Sequence, residues 1–437
     1  MSVSALVMVL CCISQGPSFS GRLHSPDIFL IIIDTLRADH LGCYGYSRDT
    51  SPALDSLAAC GTVFTNCQAQ APWTLPAHGS IWTGLTVRSH RAGMRHGTFY
   101  GLDPDLETIA TMMKQRNYVT MGFVNTHLIS GDFGFDLGFD HYSWTGTGHG
   151  RAGETVDEVM GWYHENYGNP IPKLVVIHLY DVHAPYDPPE PFDTRFSPHG
   201  TMGITEWRVD SLGRLENPGD RQHLIDMYDG EIAWVDSQLD RLFRFMRKTG
   251  IDDRAVVIVT SDHGEEFLEH GRWGHGHSLF QEQLHVPLIL SGPVIQAGVR
   301  EPLPCGQMDI LPVIAGLTGA RMPGDVQGHD ILSSSPGRRG IPSSGTFCNR
   351  YFHSDEALIE SQASLLSYPL KLIINFHSGQ EWSYHLGNDP GEQQSVPPDS
   401  SMVRELDHYW STPPLAEPPA VGDDGSFHDD LHDLGYI

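Results

Sequence analysis

The chain has 437 residues and carries 54 acidic against 27 basic side chains, which gives a net charge of −27 at pH 7. No basic cluster stands out, so nucleic acid and an anionic membrane surface are not expected partners. The length and a hydrophobic content of 40% are compatible with one large α/β domain and a smaller one. A small anionic substrate would need local positive charge in such an acidic chain, most simply a metal ion.

Residues 1–23 form a separate N-terminal segment. A short apolar stretch from Ala5 to Ile13 precedes Ser18-Phe19-Ser20, a small-x-small pattern typical of cleavage sites, but no Lys or Arg comes before the apolar stretch. Two interpretations are open: a signal peptide, with a secreted or periplasmic protein, or an extended N-terminus of a cytoplasmic one. No run approaches the roughly 18 apolar residues of a membrane span, so none is expected.

Five apolar runs have the continuous character of strands buried on both faces of a parallel sheet. Helical patterns alternate with these runs, which predicts a large, mostly parallel sheet flanked by helices over residues 24–335. The predicted strands are Ile28 to Ile33, Val119 to Val124, Leu174 to Leu179, Ala255 to Val259 and Val286 to Leu290. The predicted helices begin at Ser51-Pro52 or cover Asp105 to Arg116, Glu154 to Tyr167 and Asp220 to Lys248.

The pattern changes near residue 345, after a Gly-, Pro- and Ser-rich connector from Pro336 to Ser344. Short strands separated by turn residues, followed by a helix, predict a small antiparallel subdomain over residues 345–412. Its predicted elements are the strands Ala363 to Ser367, Leu370 to Phe376 and Glu381 to Leu386 and the helix Ser401 to Tyr409. Residues 413–437 are rich in Pro and Asp and are expected to form an irregular tail.

Three predicted strands are followed closely by an acidic residue. Asp34 ends the first run, Asp181 follows the third, and Asp262-His263 follows the fourth. The carboxyl ends of parallel strands lie at one edge of an open α/β sheet, where ligands bind. Packing alone does not explain three carboxylates at that edge. Together with nearby histidines such as His183, they predict a metal site.

Residues 72–84 read PWTLPAHGSIWTG. Thr74 and Pro76 predict the start of a helix, with a hydroxyl in the cap region and a proline in the first turn. The N-terminus of a helix offers N–H groups and a positive dipole end to a tetrahedral anion.

This segment resembles the signature of the sulfatase family. There a Cys or Ser, oxidised to formylglycine, is followed by x-Pro-(Ser/Ala)-Arg and a closing Thr-Gly. Thr74 stands at the nucleophile position and His78 at the arginine position. Threonine cannot yield formylglycine, because its β-carbon already carries a methyl group. The resemblance extends from about Asp27 to Glu392 and implies the fold of the alkaline phosphatase superfamily.

Other segments carry the same resemblance. Asp34 to Gly45 resembles the family's first metal-binding segment, although calcium-dependent sulfatases usually have two consecutive acids there. Thr260 to Glu265 resembles the second, in which those enzymes commonly have Asp-Asn. His183-Ala184-Pro185-Tyr186 is similar to a His-x-Pro-His element that contacts the anion. In a Lys-x-His element, Asn125 stands at the lysine position and His127 is retained.

Asp34, Thr74, Asp262 and His263 resemble the metal-binding set of phosphate-handling members of the superfamily. Calcium prefers oxygen ligands, so the imidazole favours manganese or zinc as the divalent ion, with calcium or magnesium as alternatives. Some members hold a second metal with one Asp and two His. The candidates for that second site are Asp181, His183 and either His275 or His277.

The resemblance implies a metal-dependent hydrolase of small anionic esters. We expect the metal to activate Thr74 Oγ, which attacks phosphorus or sulfur, and water then releases the covalent ester. His127, His183 and His277 are the candidates for protonating the leaving oxygen.

The identity of the substrate depends on the nucleophile. A threonine ester must be hydrolysed at phosphorus or sulfur a second time, which favours phosphate mono- or diesters or phosphonates. The family resemblance points instead to sulfate esters. Two further alternatives are a transferase of the phosphoglycerol or phosphoethanolamine type and a non-catalytic binding protein, the latter because His78 and Asn125 replace basic residues.

Overall fold

The computed structural model describes residues 25–95, 98–145, 151–166, 168–197, 221–333, 340–345, 362–415 and 417–422. The predicted N-terminal segment of residues 1–23 and most of the predicted tail lie outside these ranges. Among the helices that the structure describes, none is both long enough and apolar enough to span a membrane.

The described strands, in chain order, are β1 (Asp27–Ile33), β2 (Gly61–Gln68), β3 (Gly93–Arg95), β4 (Thr98–Tyr100), β5 (Val119–Val124), β6 (His141–Trp144), β7 (Lys173–Leu179), β8 (Ala255–Ser261), β9 (Glu266–Phe267), β10 (Trp273–Gly274), β11 (His285–Ser291), β12 (Val299–Glu301), β13 (Cys305–Gly306), β14 (Ile341–Ser344), β15 (Gln362–Ser367), β16 (Leu370–Asn375) and β17 (Gln380–His385). The described α-helices are α1 (Pro52–Ala59), α2 (Thr74–Thr83), α3 (Val87–His90), α4 (Ile109–Gln115), α5 (Ala152–Glu165), α6 (Arg221–Thr249), α7 (Gln281–Leu284), α8 (Ile310–Thr318) and α9 (Ser400–Ser411).

The central sheet has the strand order β12-β2-β11-β8-β1-β7-β5-β6, and β13 also pairs with β2. The strands from β8 to β6 in this order are mutually parallel, whereas β11 runs antiparallel to both β8 and β2. The prediction of a mostly parallel sheet is confirmed. The sequence did not indicate β2, because its residues GTVFTNCQ mix polar and apolar side chains instead of forming an apolar run.

Apolar side chains from β1 pack on both faces of the sheet, which explains the continuous apolar run. Ile28, Leu30 and Ile32 belong to the core under α2, α4 and α8, and the side chains between them belong to the core under α1, α5 and α6. Every residue of β1 is buried. Full burial of one such side chain stabilises the folded state by about 1.5–3 kcal/mol. The strand that carries Asp34 at its end is therefore held firmly in place.

Helix α4 begins later than the sequence predicts. Thr108 Oγ1 accepts a hydrogen bond from the N–H of Thr111, 3.1 Å away, in a reciprocal capping arrangement. The first helical residue is therefore Ile109, and the acidic residues from Asp105 onward precede the helix. Capping by a hydroxyl decides this boundary rather than the charge of the residues before it.

Strands β14 to β17 form the predicted small antiparallel sheet. One face packs against α9, where Leu365 and Leu372 meet Leu406, and the other face contributes Leu366 and Ile373 to the main core. β14 occupies residues 341–344, where the sequence predicts a connector. Its polar residues form a strand because backbone pairing with β15 does not depend on side-chain hydrophobicity.

Candidate active site and metal centre

The acidic residues after β1 and β8 lie together at the carboxyl edge of the sheet. The N–H of Asp34 donates to the carbonyl oxygen of Leu179, 2.9 Å away, which holds the Asp34 backbone against the end of β7. Asp262 Oδ1 accepts hydrogen bonds from the N–H of Thr35 at 3.2 Å and of His263 at 2.9 Å. Both carboxyl groups are wholly buried, so neighbouring groups rather than solvent determine their charge.

His263 completes a cluster with Asp34 and Asp262, as the sequence predicts. One possible ligand atom from each residue lies within 4.8 Å of the other two. His263 Nε2 is 3.6 Å from Asp34 Oδ1 and 3.4 Å from Asp262 Oδ2. His263 Nδ1 donates to the carbonyl oxygen of Gly264 at 3.0 Å, so Nε2 carries the lone pair that faces the carboxylates.

Thr74 is the first residue of α2, and Trp73 occupies the N-cap position. The predicted helix start is thus correct, but the Thr74 hydroxyl does not cap the helix. Instead, Thr74 Oγ1 lies 3.3 Å from His263 Nε2. The helix N-terminus, the hydroxyl and the carboxylate cluster therefore meet at one point in the protein interior.

Burial favours the neutral forms of these groups. It raises the pKa of Asp34 well above its usual value, with Asp262 and Glu265 adding repulsion, and it also raises the pKa of Asp262. Burial lowers the pKa of His263 well below its usual value, and the neighbouring His275 lowers it further. A cation bound among these residues would reverse the effect on the carboxyl groups, because it stabilises their ionised forms.

The cluster fits a divalent cation. Both carboxyl oxygens of Asp34 and Oδ2 of Asp262 are buried without a hydrogen-bond partner, which is costly unless another group compensates for it. Together, two carboxylates, an imidazole and a hydroxyl make a mixed oxygen and nitrogen donor set. Such a set suits zinc or manganese better than calcium, which prefers oxygen alone.

Two further histidines, which the sequence did not indicate as part of the site, lie beside the cluster. His178, within β7, places Nε2 at 3.5 Å from Asp34 Oδ2. His78, one turn after Thr74 on α2, places Nδ1 at 3.6 Å from Asp262 Oδ2. The available signals were a histidine inside an otherwise apolar strand and a histidine four residues after the nucleophile candidate, on the same helix face.

The second metal site predicted from Asp181, His183 and His277 is not assembled. Asp181 Oδ2 accepts from the N–H of Ala152, 2.8 Å away at the start of α5, and Oδ1 accepts from Trp234 Nε1 at 3.0 Å. Neither Asp181, His183 nor His277 occurs in a metal-compatible cluster within the part of the chain that the structure describes. Asp181 instead supports a helix N-terminus, where a carboxylate is favourable.

His183 and His275 lie beside the cluster in a row of imidazole rings. The ring centroid of His275 is 4.4 Å from that of His263 and 4.9 Å from that of His183. His275 Nδ1 lies 2.8 Å from Glu265 Oε1, and burial lowers the pKa of His275 to about 3. His275 is therefore a neutral spacer between the cluster and His183.

The other two candidate acids have different surroundings. His127 lies in a 3₁₀ turn after β5, with its ring 4.8 Å from that of Trp144 and its Nε2 3.3 Å from Asp132 Oδ2. His277 Nε2 lies 2.8 Å from Glu266 Oε2. His277 and Glu266 line a cavity between the main domain and the small sheet, whose wall also includes His270, Phe280, Ile373 and Trp382.

Comparison with known proteins agrees with this fold. The sulfatase family model matches residues 26–320. Bovine arylsulfatase K is 22% identical over 71% of this chain, and the match spans 66% of that enzyme's length. The N-acetylglucosamine-6-O-sulfatase of Bacteroides thetaiotaomicron is 23% identical over 91% of this chain and 86% of its own.

Solved structures show the same architecture. The phosphonate monoester hydrolase of Agrobacterium radiobacter superimposes with a TM-score of 0.69 at 19% identity, covering 88% of this chain and 94% of that one. A protein solved with its substrate D-glucosamine-2-N,6-O-disulfate gives a TM-score of 0.70 at 18% identity, with coverages of 88% and 96%. The family match spans well over half of the sequence, and the chain belongs to the sulfatase family of ester hydrolases, within the alkaline phosphatase superfamily.

Proposed function

We propose that the chain hydrolyses small anionic esters with Thr74 as the nucleophile, and that it prefers phosphate mono- or diesters or phosphonates to sulfate esters. The observation that carries this proposal is the position of Thr74 Oγ1, 3.3 Å from His263 Nε2. The hydroxyl thus stands at the first residue of a helix and beside a metal-compatible cluster. If Thr74 had only a structural role, nothing would explain why carboxyl oxygens of Asp34 and Asp262 are buried beside it without hydrogen-bond partners.

The residues of the site have separate tasks. The N-terminus of α2 directs N–H groups and a positive dipole end at the oxygens of the anion. Asp34, Asp262 and His263 would hold a divalent cation, and its charge would lower the pKa of an adjacent hydroxyl and balance the charge of the substrate. Thr74 Oγ1 attacks phosphorus in line, and the bond from phosphorus to the leaving oxygen breaks.

We assign protonation of the leaving oxygen to His183. The ring of His183 packs against that of His275, and His275 packs against His263 of the metal cluster. One ring therefore separates the imidazole of His183 from the cluster. The contacts of His127 with Trp144 and of His277 with Glu266 direct those two histidines to other neighbours. Water then attacks phosphorus, and the bond to Thr74 Oγ1 breaks, which regenerates the hydroxyl.

The preference for phosphorus follows from the chemistry of threonine. A formylglycine enzyme releases sulfate from a hemiacetal, whereas an ester of Thr74 must be hydrolysed at its central atom. The structural similarity to phosphonate monoester hydrolases supports this preference. Sulfate esters are the second candidate, favoured by the sulfatase relatives whose names specify sulfated sugars.

A panel of substrates tests the proposal. Metal-reconstituted protein is assayed on an aryl phosphate monoester, phosphate diester, phosphonate and sulfate, with Thr74→Ala in parallel. We expect turnover of at least one phosphorus ester and its loss in Thr74→Ala. Sulfate ester turnover alone, lost in Thr74→Ala, would overturn the substrate preference. Protein that binds no metal and turns over none of the four would instead be a binding protein.

A further inference from the structure

We propose that Tyr180 is a positioning residue for His183. Its hydroxyl holds Nδ1 of the His183 imidazole, so that Nε2 is the nitrogen that passes a proton to the leaving oxygen. This inference rests on the proposed function, in which His183 protonates that oxygen. Tyr180 is the first residue after β7, and its side chain is buried.

The hydroxyl of Tyr180 and a carbonyl oxygen lie beside the same nitrogen of His183. Nδ1 is 2.8 Å from Tyr180 Oη and 2.6 Å from the carbonyl oxygen of Ala184. A carbonyl oxygen can only accept, so Nδ1 carries a hydrogen, and the hydroxyl oxygen accepts from it as well. Because these contacts engage Nδ1, a proton that His183 gives to another group must leave from Nε2.

Ring contacts on two sides fix the plane of the imidazole. The ring centroids of Tyr180 and His183 are 4.6 Å apart, and the two planes are inclined by 24°. The ring of His275 meets that of His183 nearly edge-on, with centroids 4.9 Å apart and planes inclined by 71°. Such support matters because a catalytic side chain must be held within about 10–20° of its productive orientation.

The backbone of Tyr180 is tied to the edge of the sheet that carries the metal cluster. Its N–H donates to Asn125 Oδ1, 2.8 Å away at the end of β5. The residue before it, Leu179, accepts from the N–H of Asp34 at 2.9 Å. Two consecutive residues therefore contact a metal ligand through the backbone and the proposed acid through a side chain, which fixes the acid relative to the cluster.

The turn that joins Tyr180 to His183 is strained. The N–H of His183 donates to the carbonyl oxygen of Tyr180 at 3.1 Å, and Val182 inside the turn has a φ of 95°. Residues with a β-branched side chain rarely adopt this left-handed region. Such strain persists only where the surrounding structure enforces it, and it is concentrated at functional sites. A role of this turn in placing Nδ1 of His183 on the Tyr180 hydroxyl explains why it is kept.

Packing alone does not require a hydroxyl at this position. A phenylalanine would fill the same space and stack on His183 in the same way, without an oxygen in the protein interior. What only tyrosine supplies is the second acceptor for the hydrogen on Nδ1. An acceptor behind an imidazole is the usual means of fixing its tautomer and orientation.

The proton is accounted for in both halves of the reaction. When the bond from phosphorus to the leaving oxygen breaks, the proton on Nε2 of His183 moves to that oxygen, and the neutral ring keeps its hydrogen on Nδ1. The water that then attacks phosphorus gives a proton back to Nε2, and the bond to Thr74 Oγ1 breaks.

The dependence on the leaving group tests this inference. Metal-reconstituted wild type and Tyr180→Phe are compared on a p-nitrophenyl ester, whose leaving group departs without a proton, and on an alkyl ester of the same acid, whose leaving group needs one. We expect kcat to fall by about 10–100-fold for the alkyl ester and by less than about twofold for the p-nitrophenyl ester. An equal loss on both esters would show a purely structural role and overturn the inference.

Tyr118→Phe is the matched control. The hydroxyl of Tyr118 is also buried, but it donates to the carbonyl oxygen of Pro26, 2.9 Å away, at the opposite edge of the sheet. Its loss should leave the ratio of the two kcat values unchanged. The same change of ratio in Tyr118→Phe would contradict a specific role for Tyr180.

A second measurement needs neither turnover nor a folded Tyr180→Phe variant. In wild-type protein with labelled histidine nitrogens, the signals of His183 are identified by their absence from His183→Gln. Nitrogen NMR should show the hydrogen of the neutral ring on Nδ1, and a hydrogen on Nε2 instead would overturn the inference. Wild-type protein that turns over no ester would remove the proposed function and the role of Tyr180 together, whereas equal losses in Tyr180→Phe would remove the role of Tyr180 alone.

Discussion

Thr74 Oγ1 lies 3.3 Å from His263 Nε2, at the point where a helix N-terminus meets the carboxyl edge of the central sheet. The same nitrogen is within 3.6 Å of a carboxylate oxygen from both Asp34 and Asp262. A hydroxyl, an imidazole and two carboxylates from three distant segments thus converge in a buried space. The relationship makes Thr74 the residue on which activity should depend most.

Thr74→Ala should reduce kcat/KM by at least about 10³-fold, because loss of a nucleophile removes the covalent route. Thr74→Ser keeps the hydroxyl and should retain a much larger share of the activity. Thr83→Ala is the control on the same helix, since Thr83 Oγ1 donates to the carbonyl oxygen of Gly79 and accepts from the N–H of Leu85, both backbone groups outside the cluster. Steady-state kinetics on the best phosphorus ester measure all three. Equal activity of Thr74→Ala and wild type would rule out this nucleophile.

Removal of the metal should abolish turnover and lower the melting temperature. Without the cation, Asp34 and Asp262 remain buried with unpaired oxygens, whereas a ligand present at about 1,000 times its Kd stabilises a folded protein by about 4 kcal/mol. Differential scanning calorimetry with a chelator and with added Zn²⁺ or Mn²⁺ measures the difference. In Asp262→Asn the metal-dependent shift should be much smaller. A wild-type melting temperature unaffected by metal would contradict the assigned site.

The pair of His270 and Glu282 should make stability depend on pH. Burial opposes the charged form of His270, but a hydrogen bond to Glu282 at 2.6 Å outweighs burial and raises its pKa from 6.5 to about 9. The folded state therefore binds the proton more tightly than the unfolded state. The stabilisation is fully present below about pH 6.5 and is lost as the pH rises through about 9.

Urea unfolding of wild type and His270→Gln at pH 6 and pH 9.5 measures this effect. We expect the variant to be less stable by about 1 kcal/mol at pH 6, after allowance for solvent screening, and the difference to shrink at pH 9.5. His377→Gln, at an exposed position, is the control. The same difference at both pH values would show that packing on Phe280, rather than charge, accounts for the contribution of His270.

Lys371→Met should destabilise the protein by about 3–5 kcal/mol, because it leaves Glu392 as a buried charge without its partner. Lys371 Nζ lies 2.9 Å from Glu392 Oε1, and both side chains are fully buried. Lys371→Met combined with Glu392→Leu should recover much of the loss. Breaking the exposed pair Arg244–Asp240 should cost only about 0.3–0.5 kcal/mol. Urea unfolding measures each variant, and a negligible cost for Lys371→Met would contradict the importance of this ion pair.

The strands that carry the site residues could be predicted, because the sequence patterns that indicate them are local. An apolar run marks each strand that is buried on both faces, and the residue after the run must lie at the sheet edge. Asp34 and Asp262 were therefore assigned by position. Strand β2 lacked such a run, and its place beside β11 came from pairing between distant segments.

The role of Asp181 could not be predicted from its position after a strand. Its carboxylate stands at the edge as expected, but the start of α5 and the indole of Trp234 occupy both of its oxygens. These two hydrogen bonds come from the packing of two helices against that edge, which the local sequence does not encode.

The sequence by itself determined the parallel sheet, the acidic residues at its edge and the helix that begins at Thr74, since these depend on hydrophobic periodicity and local backbone preferences. Only the tertiary structure decided which histidines face the carboxylates. The parallel register of β1 and β7 sets His178 opposite Ile32, and Asp34, two residues after Ile32 and just past the end of β1, follows on the same face. A shift of one residue would turn His178 to the other core, so long-range register, which no local pattern specifies, determines the ligand set.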